Sequence, residues 1–226
     1  MSCDALGSWA TFAAGLGLDS AVDDQTLDKL VAFYRDQDRE PRIQVTPFQH
    51  PSLIKGLKAR QFVEHDSETI LVHGLQTLQS APYPAALHFR RIDPSNDADV
   101  AAFCQSQISG FFEDTTPKPA FRAITERVAR CPRILLWLLE MDGQVAGSGG
   151  LELYETSAVL IAGCVHRRWR QKGLHTAFIH FRLEEARKAG QRYALVASAP
   201  TGPTERNALR AGFTKSYTQA VFKQPL

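Results

Sequence analysis

Between an apolar strand and an amphipathic helix lies the stretch Val165-His166-Arg167-Arg168-Trp169-Arg170-Gln171-Lys172-Gly173-Leu174-His175-Thr176. The strand is predicted over residues 158–165, and the helix continues to about residue 189. The first turn of a helix has backbone N–H groups without partners and carries the positive end of the helix dipole, so a phosphate group binds well there. Gly173 lets the backbone approach an anion closely. The stretch therefore predicts a phosphate-bearing ligand at a strand–loop–helix junction.

Composition and charge narrow the class of protein. The 226 residues are 44% hydrophobic, enough for the core of one large or two small domains. A net charge of +2 gives no case for a nucleic-acid partner. The charge is uneven, because residues 1–85 hold 7 basic and 11 acidic side chains, whereas residues 86–226 hold 19 and 13. The positive part is the part that contains the predicted phosphate loop.

The pattern of cysteines predicts a reducing compartment. Cys3, Cys104, Cys131 and Cys164 form no C-x-x-C pair and no zinc spacing, and the seven histidines form no ligand set, so we expect no metal. No signal-peptide pattern opens the sequence, and no apolar run reaches the roughly 18 residues of a membrane helix. We therefore expect a cytoplasmic protein without a membrane partner.

The hydrophobic periodicity predicts a mixed order of elements. In the first part, helices are expected at residues 23–39 and 51–59, a strand at 42–45, and a further strand within 62–75. A second series begins with a strand at 87–92, a helix ending near residue 107, a loop at 108–114 with Phe111 and Phe112, and a helix ending at 129. Strands at 134–141, 144–153 and 158–165 follow, then helix, strand 192–197, short helix and strand.

At the basic loop the sequence resembles a known family. Arg170-Gln171-Lys172-Gly173-Leu174-His175 is similar to the Arg/Gln-x-x-Gly-x-Gly/Ala acyl-CoA signature of the GCN5-related N-acetyltransferases (GNAT), with His175 in place of the small last residue. Arg210-Ala211-Gly212-Phe213 resembles the Gly-Phe that opens the closing strands of the family. The resemblance covers roughly residues 88–222. It implies an α/β fold, the GNAT acyl-CoA N-acyltransferase fold, with a mixed, mostly antiparallel sheet flanked by helices.

The resemblance also implies a set of residues that bind acetyl-CoA as co-substrate. The backbone of the loop would bind the pyrophosphate, and the end of the preceding strand would bind the pantetheine arm and polarise the thioester carbonyl. Asn207 occupies the position where many members have a tyrosine acid, and it is expected to bond the CoA arm. The expected cofactor-binding residues are Cys164, Val165, Arg170, Gln171, Lys172, Gly173, Leu174, His175, Thr176 and Asn207.

A few residues are candidates for proton transfer or nucleophilic attack. Glu152, on the strand 144–153, is the candidate base, because family bases are often carboxylates on the central strands; it also reads as a solvated strand-end Glu. Glu113 is a second carboxylate, and Tyr217 is a substitute acid for the absent tyrosine. Cys164 reads either as a nucleophile or as a small buried apolar residue.

The first part of the chain repeats the order of elements of the second. Helix, strand, proline turn, short helix, Arg60-Gln61-Phe62 and strand correspond to the C-terminal series, although few residues are identical. We interpret residues 1–80 as a degenerate partial acetyltransferase-like domain and residues 86–226 as the GNAT domain; the other reading is that this order of elements is a common one. The first domain has no Gly-rich basic loop and is not expected to bind CoA.

The resulting functional hypothesis is transfer of an acetyl group from acetyl-CoA to the amine of a small molecule or peptide by direct attack. One alternative is a non-catalytic acyl-CoA-binding sensor or regulator of the same fold. Another is a nucleotide-binding protein of a different class, which is disfavoured because no P-loop and no G-x-G-x-x-G appears. A monomer and a homodimer both remain open.

Replacing Gly173 by Asp tests the loop. The new carboxylate puts negative charge where the pyrophosphate is expected, so Gly173→Asp should abolish micromolar binding of acetyl-CoA in isothermal calorimetry. A folded wild-type protein that does not bind acetyl-CoA would contradict the acyltransferase hypothesis.

Overall fold

The structure is a computed structural model and describes residues 11–79, 81–112, 116–117 and 119–225. The chain forms two compact units. The first contains residues up to 70 together with 198–200 and 216 onward, and the second contains residues 71–197 and 201–215. These units differ from the predicted ranges, because residues 71–79 belong to the second unit and the end of the last strand belongs to the first.

The first unit is built around two helices and the strands that follow them. It contains α1 (Asp24–Arg35), β1 (Arg42–Val45), α2 (Pro51–Ala59), the start of β2 (Val63–Gly74) and most of β8 (Thr214–Lys223), which pairs antiparallel with β1. The carboxylate of Asp23 accepts from Thr26 N at 2.7 Å and caps α1. The apolar faces of these elements enclose a small core of Leu27, Ile43, Val45, Leu53, Leu57 and Phe62.

The second unit contains the larger sheet. Its strands β3 (Leu87–Arg91), β4 (Ile134–Met141), β5 (Gln144–Leu153), β6 (Ser157–Val165) and β7 (Tyr193–Ser198) lie in the order β7-β6-β5-β4-β3. Strands β3 to β6 pair antiparallel, and β6 pairs parallel with β7. The predicted strands at 134–141 and 144–153 are therefore confirmed at both ends. The mixed, mostly antiparallel sheet is also confirmed.

Four helices cover the faces of this sheet. They are α3 (Asp97–Phe111), α4 (Pro119–Ala129), α5 (Leu174–Lys188) and α6 (Pro203–Arg210). Gly110 of α3 packs on the side chain of Cys164, while a side chain added at Gly163 would meet α5. Successive strand residues point to opposite faces, so α3 and α5 lie on opposite faces of the sheet at the end of β6.

One element was predicted wrongly. Residues 108–114 were expected to form a loop, but α3 continues to Phe111. The extra turn is stabilised by packing, because Ile108 and Gly110 are buried and the backbone of Gly110 lies against Cys164. A sequence pattern does not contain this contact, since Cys164 follows 54 residues later. Helix α1 is likewise shorter than predicted and ends at Arg35.

The close pairing of β4 and β5 depends on a residue without a side chain. A methyl group at Gly150 would lie 2.6 Å from the carbonyl oxygen of Leu135 and would overlap the side chain of Leu136. We therefore expect Gly150→Ala to lower the free energy of unfolding by about 1–3 kcal/mol, because backbone must move to relieve the contact. Urea denaturation measures this change.

Gly74 supplies the control for this substitution. It has a φ of −80°, and a methyl group there would meet nothing within 4 Å. Gly74→Ala should change the free energy of unfolding by less than about 0.5 kcal/mol. Equal effects of the two substitutions would contradict the packing argument.

Candidate functional site

The parallel strands β6 and β7 separate before they end. Their paired residues run from Ser157 with Tyr193 to Val159 with Leu195, whereas β6 continues to Val165. Beyond these pairs the second half of β6 has β5 on one side only. The separation opens the sheet beside residues 163–165, and it leaves backbone groups of β6 available for a ligand.

A β-bulge marks the same part of β6. Gly150 pairs with Ile161 and Ser148 pairs with Cys164, so β6 has one residue more than β5 in this interval. Ala162 lies in the bulge with a φ of +52°, a left-handed conformation that alanine rarely adopts. Bulges of this kind redirect backbone groups and are common beside active sites.

The loop after β6 is shaped for an anion by its backbone. Gln171 has a φ of +63° and Gly173 a φ of +74°, and Gly173 stands directly before the first residue of α5. Left-handed residues alternating with ordinary ones curl the chain so that successive N–H groups converge, and here they meet the N-terminus of a helix. A left-handed glutamine is strained, and such strain is concentrated at functional sites.

Two cations of the loop are used to hold the loop itself. The guanidinium of Arg170 donates to the carbonyl of Val165 at 3.0 Å and to the carbonyl of Gly110 at 3.0 Å, so it joins the end of β6 to the end of α3. The ammonium of Lys172 lies 4.6 Å from the ring centre of Trp169, a cation–π contact. These contacts explain why the loop needs particular side chains although its backbone would bind the anion.

One cavity of about 710 Å³ joins these features. Its walls come from the end of α3, the end of β6, the basic loop with the first turn of α5, and one face of α6. The lining residues are Gly110, Phe111, Gly163, Cys164, Val165, Trp169, Arg170, Gln171, Gly173, Leu174, His175, Thr176, Pro203, Thr204, Arg206, Asn207 and Arg210. Nine of the ten residues predicted to bind acetyl-CoA line it, and the exception is Lys172. Their binding role stays a prediction.

Side chains of α5 and α6 meet at one wall of the cavity. Asn207 Nδ2 donates to His175 Nδ1 at 3.0 Å, and Arg210 donates to Asn207 Oδ1 at 2.8 Å. Burial lowers the pKa of His175 to about 4, so its ring is neutral at neutral pH. Each polar atom of Asn207 has one partner inside the protein, and the expected bond between Asn207 and the CoA arm stays a prediction.

Cys164 lies under the cavity in a network of neutral groups. Its Sγ contacts the hydroxyl of Ser148 at 3.4 Å, the amide of Gln107 at 3.6 Å and the carbonyl of Ser106 at 3.7 Å. Burial raises the pKa of the thiol, which keeps it protonated. Nothing in this set can accept its proton as a base, so the structure favours the reading of Cys164 as a small buried residue over that of a nucleophile.

The carboxylate candidates for proton transfer do not gather at the cavity. Gly147 pairs with Val165, whereas Glu152 pairs with Val159, five residues or about 17 Å further along β5. Glu152 thus lies away from residues 163–165 and is not among the lining residues, and its role as a base stays a prediction. Tyr217 belongs to the first unit, where its ring meets Phe48 at 5.0 Å. Glu113 lies outside the described residues.

Sequence reasoning predicted Asn207 of α6 and missed the other residues of this helix that line the cavity. Arg206 and Arg210 line the cavity together with Pro203, and their spacing of three and four residues places them on one helical face. The same periodicity was visible in the sequence and would have identified a cationic face. Gly110 and Gly163 carried no such signal, because each leaves space for a side chain distant in sequence, Cys164 for Gly110 and Arg182 for Gly163.

Among the described residues, no three His, Cys, Asp or Glu side chains come together in a way that would hold a metal ion. Within the same residues, no helix has the length and apolar character required to cross a bilayer.

The neutral His175 makes stability depend on pH. Above about pH 6.5 the ring is neutral in both the folded and the unfolded chain. Between pH 6.5 and about pH 4 the unfolded chain binds the proton and the folded chain does not, so the free energy of unfolding falls as the pH falls. We expect this fall to be about 2 kcal/mol smaller in His175→Gln, which accepts the Asn207 bond without titrating. Urea denaturation at a series of pH values measures it, and equal slopes for the two proteins would contradict the prediction.

Comparison with known proteins found similar folds among solved structures. No family model matches the sequence, and no curated protein matches it. Solved structures do match, at low identity. A GCN5-related N-acetyltransferase from Kribbella flavida is 13% identical and has a TM-score of 0.68, with 90% of this chain and 75% of that chain covered.

Two further solved structures are similar to this chain over most of its length. A tandem GNAT protein from the clavulanic acid biosynthesis pathway is 17% identical with a TM-score of 0.66, over 88% of this chain and 68% of that one. A functionally unknown conserved protein from Staphylococcus epidermidis is 8% identical with a TM-score of 0.72, over 99% of this chain and 88% of that one. At such identities the likeness is one of fold, and the fold of this chain is that of the GCN5-related N-acetyltransferases.

Proposed function

We propose that the protein is an N-acetyltransferase that transfers the acetyl group of acetyl-CoA to an amine. One observation supports this most strongly. A single cavity connects the opening between β6 and β7 with the N-terminus of α5, and a long, flexible thioester with a pyrophosphate fits both ends of such a cavity. The likeness to solved acetyltransferases supports the same reaction.

The anionic part of acetyl-CoA would bind at the basic loop. The backbone N–H groups of residues 171–176 are free of side-chain caps at the start of α5 and are arranged by two left-handed residues. Arg206 and Arg210 of α6 add positive charge at the cavity wall. The side chain of Arg170 does not need to contact the phosphates, since it holds the loop to β6.

The pantetheine arm and the thioester would lie along residues 163–165 of β6. This segment has no strand partner on the β7 side, so its backbone groups can bond amide groups of the arm. The thioester carbonyl would lie next to backbone N–H groups at the bulge of Ala162, and these would stabilise the oxygen as it becomes negative.

The reaction would be a direct attack. The lone pair of the neutral acceptor nitrogen forms a bond to the thioester carbon, the C–S bond then breaks, and the proton lost from nitrogen balances the proton gained by the CoA thiolate. Among the described residues that line the cavity there is no carboxylate, and Asn207 cannot act as an acid. The acceptor nitrogen would therefore have to be neutral before it attacks, and the proton that it loses afterwards would pass to water.

The acceptor would enter from the side of α3. Phe111 lines the cavity there with about half of its surface exposed, and its ring meets Phe121 at 6.3 Å. Phe112 also contacts Phe121, edge to face at 4.6 Å. This wall favours amines that carry an apolar group.

The first unit is proposed to be a degenerate partial copy of an acetyltransferase unit that takes no part in catalysis. Its helix–strand–helix–strand order supports the interpretation of a degenerate partial copy, and one of the similar solved structures is a tandem GNAT protein. Since it contains no Gly-rich basic loop, catalysis is assigned to the second unit.

A non-catalytic acyl-CoA sensor is the second candidate. It is supported by the lack of a carboxylate or tyrosine among the described residues that line the cavity. A sensor and an enzyme share the binding site and differ only in turnover.

Turnover of acetyl-CoA with a panel of amines separates the two. The panel includes small apolar amines, aromatic amines and peptides with free N-termini, and release of the CoA thiol is measured. We expect turnover with at least one amine and its loss, at least 100-fold, in Gly173→Asp. Gly173→Asn is the matched control, because it has the same size and the same left-handed strain without the charge.

The experiment separates the sensor from the enzyme and tests the anion site. Binding without turnover across the panel would support the sensor. Equal losses in Gly173→Asp and Gly173→Asn would show that the backbone strain is responsible and would contradict the anion site.

A further inference from the structure

Arg182 is a buried charge without an opposite charge. It lies in the third turn of α5 and is 2% exposed. Among the described residues no carboxylate pairs with it. Burial lowers the pKa of its guanidinium to about 10, so it remains protonated at neutral pH. A buried cation of this kind is expensive to retain unless neighbouring groups stabilise it or its charge has a use.

The groups around Arg182 are neutral. Its Nε donates to the carbonyl of Phe178 at 3.2 Å, and its Nη1 lies 3.3 Å from the carbonyl oxygen of Ile161 and 3.5 Å from that of Gly150. The guanidinium carbon lies 4.5 Å from the ring centre of Phe178. These dipoles and the ring solvate the cation, but they do not cancel its charge.

The cation occupies a space that two glycines leave open. A methyl group at Gly149 would lie 3.2 Å from Nη1, and one at Gly163 would lie 3.0 Å from Nη2. Gly163 is also one of the residues that line the cavity. Arg182 therefore lies directly behind the cavity wall, separated from it by the backbone of one glycine.

The same backbone is the bulge of β6. Ile161, whose carbonyl accepts from Arg182, stands just before the left-handed Ala162. From the opposite face of the sheet, Gln107 Nε2 donates to the carbonyl of Ala162 at 2.8 Å. Both carbonyls at the start of the bulge are thus tied to side chains, one neutral and one charged, so the bulge is fixed from both faces.

We infer that Arg182 is a positioning residue that also polarises the thioester. It fixes the bulge of β6, and its uncompensated charge raises the electrostatic potential at the position where the thioester carbonyl would lie. Inside a protein such a charge acts over several ångströms, because little water screens it. The negative charge that gathers on the carbonyl oxygen during attack is stabilised through the backbone of Gly163. This inference rests on the proposed function of the cavity.

The carbonyl stretching frequency of bound acetyl-CoA reports this effect without an acceptor amine. Acetyl-CoA labelled with ¹³C at the acetyl carbonyl is added to the wild-type protein, and isotope-edited infrared spectra are recorded. We expect the carbonyl band to move to lower frequency on binding. In Arg182→Gln and Arg182→Met, which fill the space without the charge, at least half of this shift should be lost.

Two further variants make the result specific. Arg182→Lys keeps the charge and should keep most of the shift. Arg187→Gln is the matched control, since Arg187 is in the same helix and donates to a backbone carbonyl, that of Leu78, at 3.2 Å. It should keep the whole shift. Melting curves show which variants are folded, and either neutral variant is sufficient for the test.

The kinetic counterpart is a fall in kcat without a matching change in binding. With an accepted amine, the neutral variants should lose about tenfold or more in kcat, while the dissociation constant of acetyl-CoA changes less than threefold. A purely structural role would change binding and melting temperature instead.

The failures can be told apart. If the wild-type protein does not bind acetyl-CoA, the proposed function is wrong and this inference fails with it. If acetyl-CoA binds and a folded neutral variant gives the wild-type carbonyl frequency, the cavity assignment stands and the role of Arg182 is overturned.

Discussion

The end of pairing between β6 and β7 is the constraint on which the site depends. Two parallel strands that remained paired to their ends would close the sheet and satisfy their own backbone groups. Here the paired residues end at Val159 and Leu195, while β6 continues for six more residues. This segment pairs with β5 alone. The bulge at Ala162 and the hydrogen bond from Arg170 to the carbonyl of Val165 hold it in place, so the opening is a fixed part of the fold.

Glycines make this arrangement possible by their lack of side chains. Gly110 allows α3 to lie against Cys164, and Gly149 and Gly163 leave space for a guanidinium. Each of these contacts brings backbone or charge close to the cavity wall. The proposed chemistry of the cavity would therefore rely largely on main-chain groups and buried dipoles, which are already oriented before a ligand binds.

This design explains which parts of the site the sequence predicted. The loop from Arg170 to Thr176 was identified because a basic, Gly-containing segment between a strand and a helix is typical of a phosphate-binding loop. All of its residues but Lys172 line the cavity. The face of α6 had a local signal too, in the spacing of Arg206 and Arg210. The distance of Glu152 from the opening depends on the register of β5 with β6, which a local sequence pattern does not contain.

The sequence by itself determined the order and the bounds of most helices and strands, because periodicity, caps and turn residues act within a few positions along the chain. It also predicted an anion-binding role for the start of one helix. The separation of β6 and β7, the extra turn of α3 and the burial of Arg182 behind Gly163 were decided only by the tertiary structure. These features come from contacts between residues far apart in sequence, where packing outweighs local preference.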